Sequence, residues 1–182
     1  MYAEFHAICK MMHDIEGADP KYVGLPANQI MHVAQKFGNI VACEKNPHND
    51  RFMHDLMNNI VNAFSLEKSV KIVNEELTEY LQHCDEQFTI YDADLMTYAN
   101  KPGLIDALGN GISRTMGDFA VICVVTCSGR HITDEEYKSI MPVELVESIS
   151  KRVPIDIVYL NSDRYQDSVT PMRYEILAVR RK

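Results

Sequence analysis

The sequence predicts a mainly α protein, a helical bundle closed by a small C-terminal β-hairpin. Three observations carry that expectation. Apolar residues recur at three- and four-residue intervals over long stretches. Eight glycines and seven prolines are too few for a loop-rich all-β chain. Near the C-terminus the pattern changes to strand-like apolar runs.

Element by element, residues 4–16 and 28–42 carry helical spacing. Gly17-Ala18-Asp19-Pro20 and Gly24-Leu25-Pro26 between them read as turns. Glu44 to Asp50 is a polar break containing Lys45-Asn46-Pro47, so residues 1–50 form an N-terminal helical extension. Phe52, Leu56, Ile60, Val61 and Phe64 then repeat as one buried stripe. Ser65 has the chemistry of an N-cap, although Lys68 stands where a capping box wants an acid. The helix it opens places Leu66, Val70, Val73, Leu77 and Leu81 on one face and ends near Cys84-Asp85.

Residues 86–102 are mixed and close on Lys101-Pro102-Gly103. The stretch 104–127 supports two readings. Its spacing suits a helix, while Asn110-Gly111 is a turn signal and Val121-Ile122-Cys123-Val124-Val125 suits a buried strand. Thr133-Asp134-Glu135-Glu136 caps a short helix, and Pro142 to Lys151 forms another with proline in its first turn. Residues 51–151 are therefore the helical core. In the C-terminal appendage, 152–182, Ile155–Leu160 and Met172–Val179 read as two strands joined by a polar loop.

Composition narrows the function. The chain is 46% apolar and 24% charged, as folded globular proteins are. A net charge of −8 argues against a nucleic-acid partner, which needs a clustered cationic surface. The one basic cluster, Arg180-Arg181-Lys182, reads as a solvated tail. No apolar run approaches the ~20 residues of a membrane span, and the N-terminus lacks a signal-peptide pattern. Five cysteines without a CxxC pair suit a reduced, cytoplasmic setting, and Cys123 and Cys127 read as core. The seven histidines form no zinc-site spacing, and the ten methionines read mainly as core filling. No GxGxxG, GxxxxGK[ST] or GxSxG is present.

The residues that point to chemistry are acids. Glu76 and Glu79 are i,i+3 on one predicted helix, and Asp106 and Asn110 are i,i+4 if 104–127 is helical. Two such helices packed antiparallel aim four oxygen-bearing side chains into one gap, a ligand set for Mg²⁺ carrying a phosphate chain. The same glutamates also suit a solvated helix face, and Asp106 suits a helix N-terminus.

Glu75-Glu76-Leu77-Thr78-Glu79, followed by Asp106-Ala107-Leu108-Gly109-Asn110, resembles the paired EExxE and DALxD motifs of the MazG-like, all-α NTP pyrophosphohydrolase superfamily. Ala63-Phe64-Ser65-Leu66 upstream and Ser148-Ile149-Ser150-Lys151 downstream resemble further elements of its phage-type members. The resemblance covers about residues 52–151. It implies a helical bundle forming a dimer or a dimer of dimers. It also implies Mg²⁺-dependent (Mn²⁺ as substitute) cleavage of a nucleoside triphosphate to monophosphate and pyrophosphate. Glu76, Glu79, Asp106 and Asn110 would hold the metal, Glu75 and Glu76 would serve catalysis, and Lys71, Ser148 and Lys151 would meet the substrate. Asn110 stands where the family has an aspartate, which removes a charge and lowers metal affinity. A catalytically silent nucleotide- or protein-binding module is the alternative the resemblance leaves, and an unrelated helical protein with surface acids is a third.

Overall fold

The chain builds one seven-stranded sheet with strand order β3-β2-β1-β4-β5-β7-β6. The strands are β1 (Lys21–Gly24), β2 (Asn39–Cys43), β3 (Ser69–Val73), β4 (Phe88–Tyr98), β5 (Met116–Cys127), β6 (Ile155–Asp167) and β7 (Thr170–Arg181). The structure, a computed structural model, describes residues 7, 9–10, 14, 20–26, 33–34, 37–46, 48, 51–55, 69–98, 102–127, 134–167 and 170–182. Strands β1 to β5 pair in parallel. Strand β7 runs antiparallel to β5 and to β6, so it alone is reversed. Helices α1 (Leu77–His83), α2 (Leu104–Thr115) and α3 (Asp134–Ser150) connect β3 to β4, β4 to β5 and β5 to β6.

A parallel sheet covered on both faces needs strands apolar on both sides. Strand β5 meets that demand: Phe119 through Val125 are all buried, with no alternation. Its side chains divide between two cores. Ala120, Ile122 and Val124 join Val23, Val41, Tyr91 and Ala93 beneath α1, α2 and α3. Val121, Cys123 and Val125 join Tyr22, Ile40 and Ile90 on the opposite face, with Cys9, Val33, Phe37 and Met53 from the N-terminal segments.

The expected mainly α bundle is corrected: the fold is α/β. Continuous apolar runs do not separate a buried strand from a buried helix by period. The spacing through Val70, Val73, Leu77 and Leu81 crosses from strand β3 into helix α1, and Leu66 lies outside the described residues. The end of the predicted 28–42 helix is strand β2, and the mixed stretch after 86 is strand β4. Residues 104–127 divide into helix α2 and strand β5, so each reading of that stretch holds for half of it. Thr133 and the stripe from Leu56 to Phe64 with its Ser65 cap lie outside the described residues. Strands β6 and β7 form a hairpin joined to the main sheet through β5. No helix among the described residues is long and apolar enough to cross a membrane.

Helix α2 lies between its neighbours through two glycines. A Cβ on Gly109 would sit 2.5 Å from Ser148 Oγ of α3, and one on Gly111 would sit 2.5 Å from Leu81 Cβ of α1. Glycine costs a helix interior about 1 kcal/mol relative to alanine. Here it allows both helices to approach, and Leu108 and Ile112 are fully buried in consequence.

Candidate functional site

In an open α/β sheet, ligands bind outside the carboxyl ends of the strands, where the strand order reverses. That point lies between β1 and β4. Strand β1 ends on Gly24, paired in register with Asp92. The fit is tight: a Cβ on Gly24 would meet Asp92 O at 2.5 Å and Tyr22 Oη at 2.7 Å. The next residue, Leu25, donates its N–H to Asp92 O at 2.9 Å, which steers the chain out of β1.

Asp92 is fully buried, and Tyr22 donates its hydroxyl to Oδ2 at 2.9 Å. Its other oxygen, Oδ1, has no hydrogen-bond partner among the described residues. Burial pushes this carboxyl up to about 7; the Tyr22 bond opposes that shift and the charge of Asp94 adds to it. Asp94 lies two residues on and points to the same face of β4.

The neighbouring strand ends supply more acids. Glu44 follows β2; its N–H bonds to Val73 O at 2.9 Å, and its Oε1 accepts the Asn46 N–H at 2.7 Å. Glu76 leads into α1 and pairs with Lys45 at 3.4 Å, linking the ends of β2 and β3. Glu75 pairs with His83 at 2.7 Å.

These placements show what the predicted residues touch. Glu79 is exposed on α1. Asn110 donates to Gln82 Oε1 at 2.7 Å, and Gln82 Nε2 in turn donates to Ala107 O. Asp106 accepts the Ser148 hydroxyl at 2.8 Å and the Arg152 guanidinium at 3.3 Å. Ser148 and Arg152 hold its carboxyl below the usual range. Asp106 thus joins α2 to the end of α3, while Asn110 joins α2 to α1. Lys71 reaches Tyr80 Oη and Glu86, each at 3.1 Å. Glu86 also accepts Lys21 at the start of β1, so this cluster lies at the amino end of the sheet, away from the crevice. Lys151 is exposed after α3. Among the described residues no three His, Cys, Asp or Glu side chains are grouped to hold a metal. The expectation of Mg²⁺ or Mn²⁺ is corrected accordingly.

No family model matches the chain, and no curated protein matches its sequence. Solved structures match its fold. Trm5b from Pyrococcus abyssi superposes with a TM-score of 0.58 at 13% identity, over 97% of this chain and 49% of that one. The chain thus spans about half of Trm5b. TYW2 from M. jannaschii, in complex with AdoMet, gives 0.59 at 12% identity, over 90% and 70% of the two chains. A putative rRNA-methylase from Clostridium thermocellum gives 0.54 at 11% identity, over 95% and 94%. This chain shares their doubly wound α/β fold.

That likeness overturns the resemblance to the MazG-like superfamily. With it fall the pyrophosphohydrolase activity, the silent helical module, the nucleoside triphosphate substrate and the argument for a dimer or a dimer of dimers. The exclusion of nucleic acid is corrected too, because a chain of this fold carries an rRNA-methylase name. Net charge summed over a chain does not describe one face of it.

Motif reading missed Gly24, Glu44, Asp92 and Asp94. A signal was present: Glu44 follows Gly24 by the roughly 20 residues that separate a first strand's glycine turn from a ribose-binding acid. It was hidden because Gly24 is followed by Leu25-Pro26-Ala27-Asn28 and not by further glycines.

Proposed function

We propose that this chain is an AdoMet-dependent transferase, in the first instance a methyltransferase, whose ligand crevice lies between β1 and β4. The observation that carries the reading is the topology with Glu44 at its expected place. The sheet order with a reversed β7 is joined to an acid at the end of β2, 20 residues beyond Gly24. When bound, AdoMet supplies a methyl group on a sulfonium, open to displacement by a nucleophile.

The residues present suit that cofactor. In dinucleotide sites the second glycine of the turn admits a pyrophosphate. AdoMet carries none, so Leu25-Pro26 in that place removes nothing it needs. It carries a sulfonium and an ammonium, and the crevice offers carboxylates. Glu44 is placed to accept the ribose hydroxyls. Asp92 Oδ1, buried and lacking a partner among the described residues, is an acceptor for an N–H donor. Tyr22 fixes the rotamer of that carboxyl by bonding its other oxygen.

Isothermal titration calorimetry with AdoMet tests the reading. Saturable one-site binding is expected, and Glu44→Gln is expected to weaken it at least tenfold, the loss of a charge-assisted bond pair. Equal affinity in wild type and Glu44→Gln would remove Glu44 from the site. Absence of AdoMet binding would end the proposal.

A further inference from the structure

The neighbours of Asp92 come from three strands and the N-terminal segment. Tyr22 of β1 makes its one described hydrogen bond, to Oδ2 at 2.9 Å. Asp94 shares its strand and its face of the sheet. Cys123 of β5 is in register with it, and Cys9 joins Tyr22 and Cys123 in the core on that face. Burial first, and then the charge of Asp92, pushes both thiols up, so neither ionises near neutral pH. Among the described residues no lysine, arginine or histidine acts on the Asp92 carboxyl. Each ionisable group described around it is an acid.

A carboxylate held out of water needs a counter-charge or two to three donors. Tyr22 supplies one donor, and Oδ1 has no partner among the described residues. The strands leave little room for adjustment, since a Cβ on Gly24 would lie 2.8 Å from Asp92 Cβ. Before a ligand binds, this place favours the neutral acid. Burial accordingly pushes the carboxyl up to about 7, with Tyr22 opposing the shift and Asp94 adding to it.

A cationic ligand with an N–H aimed at Oδ1 reverses that preference. It brings the missing donor and the missing positive charge together, and both favour the carboxylate. Binding and loss of the proton are then linked, and such linkage is reciprocal.

We propose that AdoMet binding expels a proton from Asp92, so that pH sets the affinity of the crevice for its cofactor. This rests on the transferase reading above and adds the regulation of that site. The proton passes from the Asp92 carboxyl to water, and the ligand's N–H takes over as donor to Oδ1. In acid the carboxyl must first give up its proton, so affinity falls by up to about tenfold for each pH unit. In alkali it is already ionised, and its contribution to the pH dependence vanishes.

Calorimetry with AdoMet, from about pH 5.5 to 7 in two buffers of different ionisation enthalpy, reads both affinity and protons released. That range lies below the ligand's own α-amino group, which titrates near pH ~8. Wild type is expected to bind more weakly as pH falls and to release up to one proton at the acid end. Asp92→Asn should bind more weakly than wild type at pH 7, with a flat profile and no proton release. Tyr22→Phe removes a bond that favours the charged form and should move the profile to higher pH. Asp94→Asn removes a like charge and should move it lower. These opposed shifts serve if Asp92→Asn does not fold, and a merely structural role would produce neither. Binding by wild type with a flat profile and no proton release, or a wild-type profile kept in Asp92→Asn, would overturn the proton linkage and leave the transferase reading standing. So would shifts of one sign in Tyr22→Phe and Asp94→Asn. No AdoMet binding to wild type at pH 7 would overturn that reading first, and the linkage with it.

Discussion

Glu86 shows how a single side chain responds to its surroundings at the amino end of the sheet. It accepts Lys21 Nζ at 2.6 Å and Lys71 Nζ and Tyr80 Oη at 3.1 Å each. The Lys21 bond, followed by those of Lys71 and Tyr80, outweighs burial and holds its carboxyl down at about 2, against 4.5 when free. A carboxyl with a depressed folded-state value stabilises the fold above its unfolded value, and that support is lost as pH falls through the folded one. The urea midpoint of wild type is therefore expected to fall between pH 4.5 and about 2. Glu86→Gln should flatten that limb and lower the midpoint at pH 7. The effect is modest, since the carboxylate remains partly in water. An unchanged acid limb in the variant would show that the cluster does not contribute. Asp92 and Glu175 have the reverse sign: their folded values lie above the free ones, so they oppose folding as pH rises toward about 7.

Among the elements, α2 decides how the three helices meet beneath the sheet. Gly109 and Gly111 face Ser148 and Leu81 with no room for a methyl group. The atoms they would strike lie close to the neighbouring backbones, so neither can swing away cheaply. Gly109→Ala and Gly111→Ala are each expected to destabilise the protein by about 1–3 kcal/mol in urea unfolding, as overpacking does. On an exposed helix the same change stabilises by up to about 1 kcal/mol. Stabilisation by either substitution would mean that the helix interfaces have space. This close packing also accounts for Asp106-Ala107-Leu108-Gly109-Asn110. Its acid and amide are the polar ties of α2 to α3 and α1, and its glycine is the contact between α2 and α3.

For the molecule as a whole, the two ends of the sheet differ in their side chains. The amino end carries the Lys21–Glu86–Lys71 cluster, and the carboxyl end carries Gly24, Glu44 and Asp92. A ligand that binds only the folded state at 100 times its Kd stabilises by about 2.7 kcal/mol. AdoMet is therefore expected to raise the melting temperature, and to go on raising it with the logarithm of its concentration. Hydrogen-exchange protection should be concentrated at residues 24–26, 44–46 and 92–94. Protection centred on residues 69–71 and 86–88 would place the ligand at the wrong end.

Much of this was legible locally. Turn signals at Gly24-Leu25-Pro26 and Lys101-Pro102-Gly103 stand beside real element boundaries. The apolar runs Ile155–Leu160 and Met172–Val179 lie within β6 and β7. Those features depend on residues near one another in the chain, and local chemistry is enough to specify them. Other features depended on the fold. Strands buried on both faces lose the two-residue alternation that distinguishes them from helix. Asp92 and Gly24 lie far apart in the chain, as do Glu175 and Val124, yet each pair is brought into register by strand order. Pairing across such distances is decided by burying both faces of the sheet at once. No short stretch of residues carries that information, and the tertiary structure alone determines it.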